Sequence, residues 1–473
     1  MLFNSFEFLT LTIASFAIYY LSIFRRYQVQ ILIVASLIFY GYANPKLLLL
    51  FLFSVLINVI SSYSVVYGKR STQKTVLTIG VIFNLSILAF FKYSPLIGST
   101  FFNTGNGIGA FLIQIPLPVG ISFFTFEGIT LLVDAYRGRD EAKSENLVIP
   151  SLGTHAMHTT FFVAFFPHLI AGPILKAHHF LPQIKEKFFK DIPWEFCYRN
   201  LVTGYFLKMV IADQLSQHTF WIQYPYFEVK SSIELIVLLF GYSIQIFADF
   251  AGYSLIALGI AGLFGYKLEK NFDFPYISTS FSEFWRRWHI SLSTFLKEYL
   301  YIPLGGNRRG PFRTYLNLFV TMLLGGLWHG AAWSYAIWGA FHGCALAIER
   351  FVKDHGKQKD KAMPVFMNIL SGLLVFMFVT FAWLFFKLTN ISDVVKYVAA
   401  IFNNTHVAPS MSSMAYVLMY SLPVIAYHLL YLSKNLMPDV LRWSNFEAYA
   451  HGLMLFMIVT NSGISGDFIY FQF

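Results

Sequence analysis

Cysteine is almost absent from this chain. Cys197 and Cys344 are the only two, too few for a disulfide framework and too far apart for a CxxC metal site. Charge is scarce as well: Asp, Glu, Lys and Arg make up 12% of 473 residues, whereas hydrophobic side chains make up 56%. A soluble core of that size would need far more charge to cover its surface, so a soluble globular enzyme is excluded and a multi-pass membrane protein is implied. Acidic residues are the rarer sign, 24 against 34 basic, giving a formal net charge of +10. The excess is not a nucleic-acid footprint. Lys and Arg cluster in short stretches between apolar runs, such as Arg25-Arg26 and Lys69-Arg70 with Lys74, where the positive-inside rule puts them. That pattern places the N-terminus on the extracytoplasmic side and the first loop inside. The N-terminal run has no basic residue before it and no small-residue cleavage site, so it reads as a retained span and not as a signal peptide.

Aromatic residues are plentiful: Phe 53 and Tyr 28 suit interfacial belts and packing around a passage. Spans are expected near 28–43, 46–67, 75–92, 200–222 and 232–265. Two apolar runs are broken by proline and glycine, one at Pro116 and Pro118, the other at Pro167, Gly172 and Pro173. Broken helices at membrane depth survive only when buried in protein or lining a cavity. Ser122, Thr125 and Glu127 follow the first break, where Glu127 either faces a cavity or is paired within the bundle. His168 marks the second break, and His178-His179 follow it. Neighbouring residues on a helix point apart and no third ligand is suitably spaced, so these two predict no metal site.

Two stretches carry ionisable groups that demand an explanation. In LLGGLWHGAAWSYAIWGAFH, residues 323–342, His329 sits within a run otherwise fit only for hydrocarbon or a protein interior. Arg308, Arg309 and Arg313 precede it, and Arg350, Lys353, Lys357, Lys359 and Lys361 follow. Basic residues at both ends predict two helices turning near Gly325–Gly330, with His329 at or near the turn. An ionisable side chain at membrane depth usually lines a functional cavity, and imidazole suits proton transfer near neutral pH. In FSEFWRRWHISLSTFLKEYLYIPLGGNRRG, residues 281–310, helical spacing puts Trp285, Trp288, Leu292 and Leu296 on one apolar face. The stretch is too charged to span and reads as an interfacial helix with His289 pointing into the bundle. Cys344, two residues beyond His342, reads as a small apolar residue of a packed helix. Lys208, Asp213 and Asp249 lie inside predicted spans and favour a transporter, although no matching interrupted halves accompany them.

Four stretches occur in this order: LPVGISFFTFEGITLLVDAYRG, FFPHLIAGPILKAHHFLPQ, FWRRWHISLSTFLKEYLYIPLGGNRRG and LLGGLWHGAAWSYAIWGAFHG. Together they resemble the membrane-bound O-acyltransferase family, in particular its bacterial branch of alginate O-acetyltransferases and related cell-wall acyl-transfer proteins. The likeness runs from about residue 28 to 350, with the terminal FIYFQF in keeping. It implies an all-α polytopic membrane protein of roughly 11–13 membrane helices, some broken or re-entrant, with interfacial amphipathic helices, around a central tunnel. One membrane-embedded domain covers 1–473: N-terminal spans over 1–106, a core with both histidines over 107–350, and C-terminal spans over 351–473. By the same resemblance His329, in the WHG motif, is similar to the catalytic histidine and His289 matches the second site position. Trp328, Trp333, Trp285, Glu127 and Asp249 are candidates for the substrate tunnel. No cofactor or metal is implied. The donor is an acyl thioester, acetyl-CoA; the acceptor is an extracytoplasmic polysaccharide such as alginate, or peptidoglycan, reached directly or through a periplasmic acyl-transfer protein, from the bacterial inner membrane. Leu255 and Gly262 stand where relatives commonly carry Asp and Arg. The rival readings are a transporter using Asp213, Asp249 and Glu127, and a non-enzymatic scaffold for polysaccharide export.

Overall fold

Proline, asparagine and glycine set the helix boundaries, and long β-branched and aromatic runs fill the helices between them. The computed structural model describes residues 1–42, 44–138, 147–169, 172–355, 364–436, 443–464 and 466. Lys357, Lys359, Lys361 and the terminal FIYFQF lie outside the described residues. All regular structure among the described residues is helical. The main helices are α1 (Phe6–Tyr19), α2 (Gln28–Gly41), α3 (Pro45–Tyr67), α4 (Gln73–Phe101), α5 (Gly107–Ile113), α6 (Ile121–Gly138), α7 (Leu152–Ala164), α8 (Trp194–Tyr205) and α9 (Asp213–Thr219). They continue as α10 (Ser232–Leu263), α11 (Phe281–Arg287), α12 (Ile290–Phe295), α13 (Pro311–His329), α14 (Trp333–His355), α15 (Val365–Ala382), α16 (Ile391–Asn403), α17 (Met411–Leu436) and α18 (Trp443–Thr460).

Six helical stretches among the described residues are long and apolar enough to cross a membrane: Ser22–Gly41, Pro45–Tyr67, Gln73–Phe101, Ser232–Leu263, Val365–Lys387 and Met411–Leu432. Phe6–Tyr19 and Glu447–Thr460 are shorter apolar helices. The fold is thus an all-α multi-pass membrane protein. In the Ser232–Leu263 stretch 78% of the span window is buried, against 22–39% in the other five, so α10 is an interior helix and the others present apolar side chains outward. α13 and α14 are long enough, at 19 and 23 residues, but less apolar.

The chain forms two compact units, Met1–Leu201 with Ser254–Glu269, and Val202–Tyr253 with Lys270–Phe473. The sequence divisions at residues 106 and 350 fall inside the first and second unit respectively.

In the first unit Asn44 caps α3 by accepting from the Lys46 amide, with Pro45 at the first helical position. The apolar helices α3 and α4 are fastened by a reciprocal amide pair: Asn58 Nδ2 donates to Asn84 Oδ1 at 3.2 Å, and Asn84 Nδ2 to Asn58 Oδ1 at 2.9 Å. Interhelical amide bonds of this kind hold membrane helices together where hydrophobicity alone cannot. The two expected breaks are present. Residues 115–120 run without helix before α6, and Gly120 has φ 72° with the Leu169 carbonyl 2.6 Å from where a Cβ would stand. α7 stops at Ala164, before Pro167. Phe8, Phe39, Phe166 and Phe264 interlock at ring separations of 5.7–5.9 Å.

In the second unit α13 and α14 form the hairpin expected between the two basic clusters, but the helix runs on through Gly325 and Gly326, so the turn falls at residues 330–332, not near Gly325–Gly330. They touch backbone to backbone. A Cβ on Gly326 would lie 2.2 Å from the Tyr335 carbonyl oxygen and 2.8 Å from Gly339 Cα, and one on Gly339 would lie 2.3 Å from the Met322 carbonyl oxygen. Neither contact can be relieved by a side-chain rotation, because both neighbours are main chain. Gly326→Leu is therefore expected to separate the hairpin, lowering the melting temperature of the detergent-solubilised protein by more than 5 °C, of the order produced by overpacking at about 1–3 kcal/mol.

One predicted helix is interrupted. Residues 281–299 are not continuous: α11 ends at Arg287, Trp288 is extended, and His289 adopts a left-handed conformation at φ 43° and ψ 56° before α12 begins. The chain then passes into a π-helical turn, Leu296–Tyr301. An unbroken 3.6-residue period would have carried one helix through all these positions. The break is fixed from outside the segment: Ile290 N–H donates to the Asn271 carbonyl at 2.9 Å and Ser291 Oγ to Asn271 Oδ1 at 2.6 Å.

Candidate active site

His329 and His289 reach the same interior of the second unit by different devices. His329 is the last residue of α13, where the turn at Gly330 ends the helix, and is buried. His289 is the left-handed hinge between α11 and α12 and has no exposed surface. A non-glycine residue in that conformation costs of order 1–3 kcal/mol and persists where its surroundings dictate it, often at functional sites. The two imidazoles are neighbours, with ring centroids 6.2 Å apart and ring planes inclined at 55°. Trp328 lies beside both, 5.9 Å from His289 and 5.0 Å from His329. Phe250 packs edge-on against His289 at 4.6 Å. Trp338 and Phe386 pack edge-on against His329 at 5.1 and 5.0 Å.

Burial in this aromatic box sets the protonation of its hinge residue. His289 lies outside the six candidate spans, and burial pushes its imidazole down to about 3. The ring is neutral at cellular pH and able to donate through one nitrogen and accept through the other. An unfolded-chain histidine titrates near 6.5. Between these values the unfolded state binds a proton that the folded state does not, so the stability contribution is complete above pH 6.5 and is lost as pH falls below it. The melting temperature is expected to fall from pH 7.5 to pH 5, and to fall less in His289→Asn, which tolerates the left-handed backbone. Thermal unfolding of both proteins at the two pH values measures this.

A cavity of about 370 Å³ lies next to this box, lined by Arg286, Lys297, Ser293, Thr294, Thr321 and Trp285 among others. Trp285 is its aromatic wall. Its ring is 5.6 Å from Trp338 and 5.2 Å from His342, and Trp338 separates it from His329.

The structure places the other sequence candidates as follows. Trp328 and Trp285 are buried in the second unit. Trp333 is half-exposed at the start of α14, and Trp338 is the tryptophan fully buried against His329. Glu127 is in the first unit, buried and paired with His168 Nε2 at 2.9 Å, which is the paired alternative for that residue. Asp249 is paired with Lys208 Nζ at 2.8 Å, and Asp213 with the same nitrogen at 2.7 Å. Two of the three carboxylates of the transporter reading, Asp213 and Asp249, thus hold one internal ammonium, and the third, Glu127, pairs with His168. His178 and His179 diverge to separate carboxylates, Asp134 at 2.7 Å and Glu269 at 2.5 Å. Cys344 is exposed, not packed, while Cys197 is buried. A Cβ on Gly262 would lie 2.8 Å from Cys197 Sγ and 3.3 Å from the Phe196 ring, so glycine there serves close helix contact.

Trp338, His342, Phe250 and Phe386 were not singled out from the sequence. Trp338 and His342 are four apart and therefore share a helix face. That spacing was a usable signal for those two; Phe250 and Phe386 offer none, because tertiary folding alone brings them to the histidines.

The fold is that of an all-α multi-pass membrane protein whose second unit buries two neighbouring imidazoles beside Trp328. The model of the membrane-bound O-acyltransferase family matches residues 44–392, and the chain belongs to that family. It is 39% identical over 415 residues to "Probable alginate O-acetylase AlgI" of Pseudomonas aeruginosa, covering 85% of this chain and 75% of that one. It is 37% identical over 394 residues to "Peptidoglycan O-acetyltransferase" of Helicobacter pylori, covering 77% and 72%. Similarity to "Teichoic acid D-alanyltransferase" of Bacillus subtilis is 28% over 283 residues, covering 57% and 68%. The chain is an O-acyltransferase.

Proposed function

We propose that this enzyme takes an acetyl group from cytoplasmic acetyl-CoA and delivers it across the bacterial inner membrane for O-acetylation of an extracytoplasmic polysaccharide, with the N-terminus on the periplasmic side. The observation that carries this reading is the pair of imidazoles 6.2 Å apart in an aromatic interior. His329 removes the proton of the attacking hydroxyl. The hydroxyl oxygen bonds to the thioester carbonyl carbon, the carbon–sulfur bond breaks, and the departing thiolate takes the proton. His289, neutral and held by its hinge, donates a hydrogen bond that orients the reacting carbonyl. A positioned base typically contributes about 10²–10⁴-fold.

The cavity beside the box suits the donor. Arg286 and Lys297 offer cationic hydrogen bonds to phosphate, and Trp285 supplies the apolar wall for the thioester arm. Trp285 and Trp338 then form the partition the acetyl group passes on its way to His329, which makes them tunnel residues in this reading.

The acceptor is alginate or a related exopolysaccharide, reached directly or through a periplasmic acyl-transfer protein; similarity to the Helicobacter pylori protein supports peptidoglycan as the second reading. Purified protein in proteoliposomes, given acetyl-CoA labelled in the acetyl group and each polymer in turn, tests this. Label is expected in one polymer, alone or with a periplasmic fraction added. Release of CoA without labelled polymer in every combination contradicts it.

A further inference from the structure

A second and larger cavity lies in the second unit, away from the histidine pair. It measures about 800 Å³ and is walled by three membrane spans, α10, α15 and α17, with Tyr276, Ile277 and Thr279 closing one side. That volume is within the range of ligand sites, about 300–1,000 Å³. Its lining is almost wholly apolar and contains no carboxylate. Along α15 it extends from Val365 to Phe376. At 1.5 Å per residue this is about 16 Å, roughly half of a 30 Å hydrocarbon core and so the depth of one leaflet. Several lining residues are open to the outside: Val365 is 75%, Ile369 58% and Leu429 57% exposed. In a membrane that opening faces lipid, not water.

One polar group in the wall points to what fills the cavity. His428 is 5% exposed and stacks on Tyr276 at 5.6 Å. Its Nδ1 lies 2.9 Å from the Val424 carbonyl oxygen, which can only accept, so Nδ1 carries the proton. Nε2 of the neutral ring is then an acceptor, and it has no hydrogen-bond partner among the described residues. A buried acceptor left unsatisfied is costly, so the natural occupant supplies a donor. An ammonium headgroup would call for a carboxylate, and the wall has none. A hydroxyl suits a neutral imidazole. A glycerol headgroup offers such hydroxyls, whereas choline offers no donor.

We propose that this cavity is a binding site for phosphatidylglycerol, whose acyl chains occupy the space between α10, α15 and α17 while a hydroxyl of its glycerol donates to His428 Nε2. The site is independent of acyl transfer and is read by lipid binding alone.

The test is native mass spectrometry of the full-length protein taken from nanodiscs of equal parts phosphatidylglycerol, phosphatidylethanolamine and phosphatidylcholine, stripped with increasing detergent. One phosphatidylglycerol per chain is expected to remain after the annular lipid is gone. Gly372→Leu grows into the cavity; the nearest atom to its Cβ is the Ser278 carbonyl oxygen at 3.7 Å, so the backbone accommodates it. This variant is expected to lose retention at least tenfold. His428→Phe keeps the stacking on Tyr276 and is expected to retain lipid without headgroup preference. The proposal is overturned if the parent keeps no stoichiometric lipid, keeps phosphatidylethanolamine or phosphatidylcholine in preference, or binds equally well as Gly372→Leu. Should His428→Phe fail to fold, the Gly372→Leu comparison decides alone.

Discussion

His329→Ala is expected to lower acetyl transfer by about 10²–10⁴-fold, the share a positioned base supplies, while the protein still inserts in the membrane and binds donor. The imidazole ends α13 and packs edge-on against Trp338 and Phe386, so its removal costs those ring contacts while the α13–α14 hairpin keeps its glycine-lined backbone contact. The loss should fall on kcat, since the interaction is made with the hydroxyl proton in the transition state and not with bound substrate. Rates from labelled acetyl-CoA, paired with a melting curve for each variant, separate chemistry from stability. Near-parental turnover in a folded His329→Ala protein would remove His329 from the reaction.

The second large effect is on stability. Lys208, Asp213 and Asp249 form a buried triad with side chains no more than 5% exposed. Lys208 also donates to the Gly466 carbonyl at 3.2 Å, tying that residue to the same point. Lys208→Met removes the ammonium that both carboxylates hold in this low-dielectric interior. Breaking a buried pair in this way costs about 3–5 kcal/mol. A sharp drop in melting temperature and in membrane accumulation is expected. Neutralising all three, Lys208→Met with Asp213→Asn and Asp249→Asn, is expected to restore most of the stability, because replacing a whole buried ionic group by neutral residues is often nearly free. If the triple variant were as unstable as the single one, charge would not be the cause. The transporter reading makes a different demand: ion flux in vesicles without acetyl-CoA, lost in the triple variant.

That triad shows where a sequence stops being legible. Lys208 and Asp213 are five residues apart, and on an α-helix they would point in different directions. The structure puts a π-helical turn over Phe206–Ala212, with the Asp213 amide bonded to the Lys208 carbonyl, which brings positions five apart onto one side. Asp249 joins them from α10. The sequence showed three charges within spans but not their mutual neutralisation, because both the turn and the third partner are tertiary events.

The histidines were more readable. His329 was placed at a turn by the basic residues flanking its hairpin, and a hairpin with that turn is present. Burial of His289 was also expected from its apolar neighbours, although the helix assumed for it is broken at that very residue. The expectation survives the break because Trp285, Trp288 and Leu292 are buried on both sides of the hinge, and the intervening residue goes inward with them. Trp338 against Trp333 could not be decided by composition. Only the start of α14, which leaves Trp333 at its first residue, determines which indole turns inward.

The account rests on His289 and His329 serving one reaction, and a double-mutant cycle on acetyl-transfer rate tests that directly. His289→Asn, His329→Ala and the combined variant are compared with the parent at matched melting behaviour. Residues that act as a unit are strongly non-additive, so the combined variant is expected to lose little more than His329→Ala alone. Losses that multiply, with each histidine retaining its full effect in the absence of the other, would contradict a shared site.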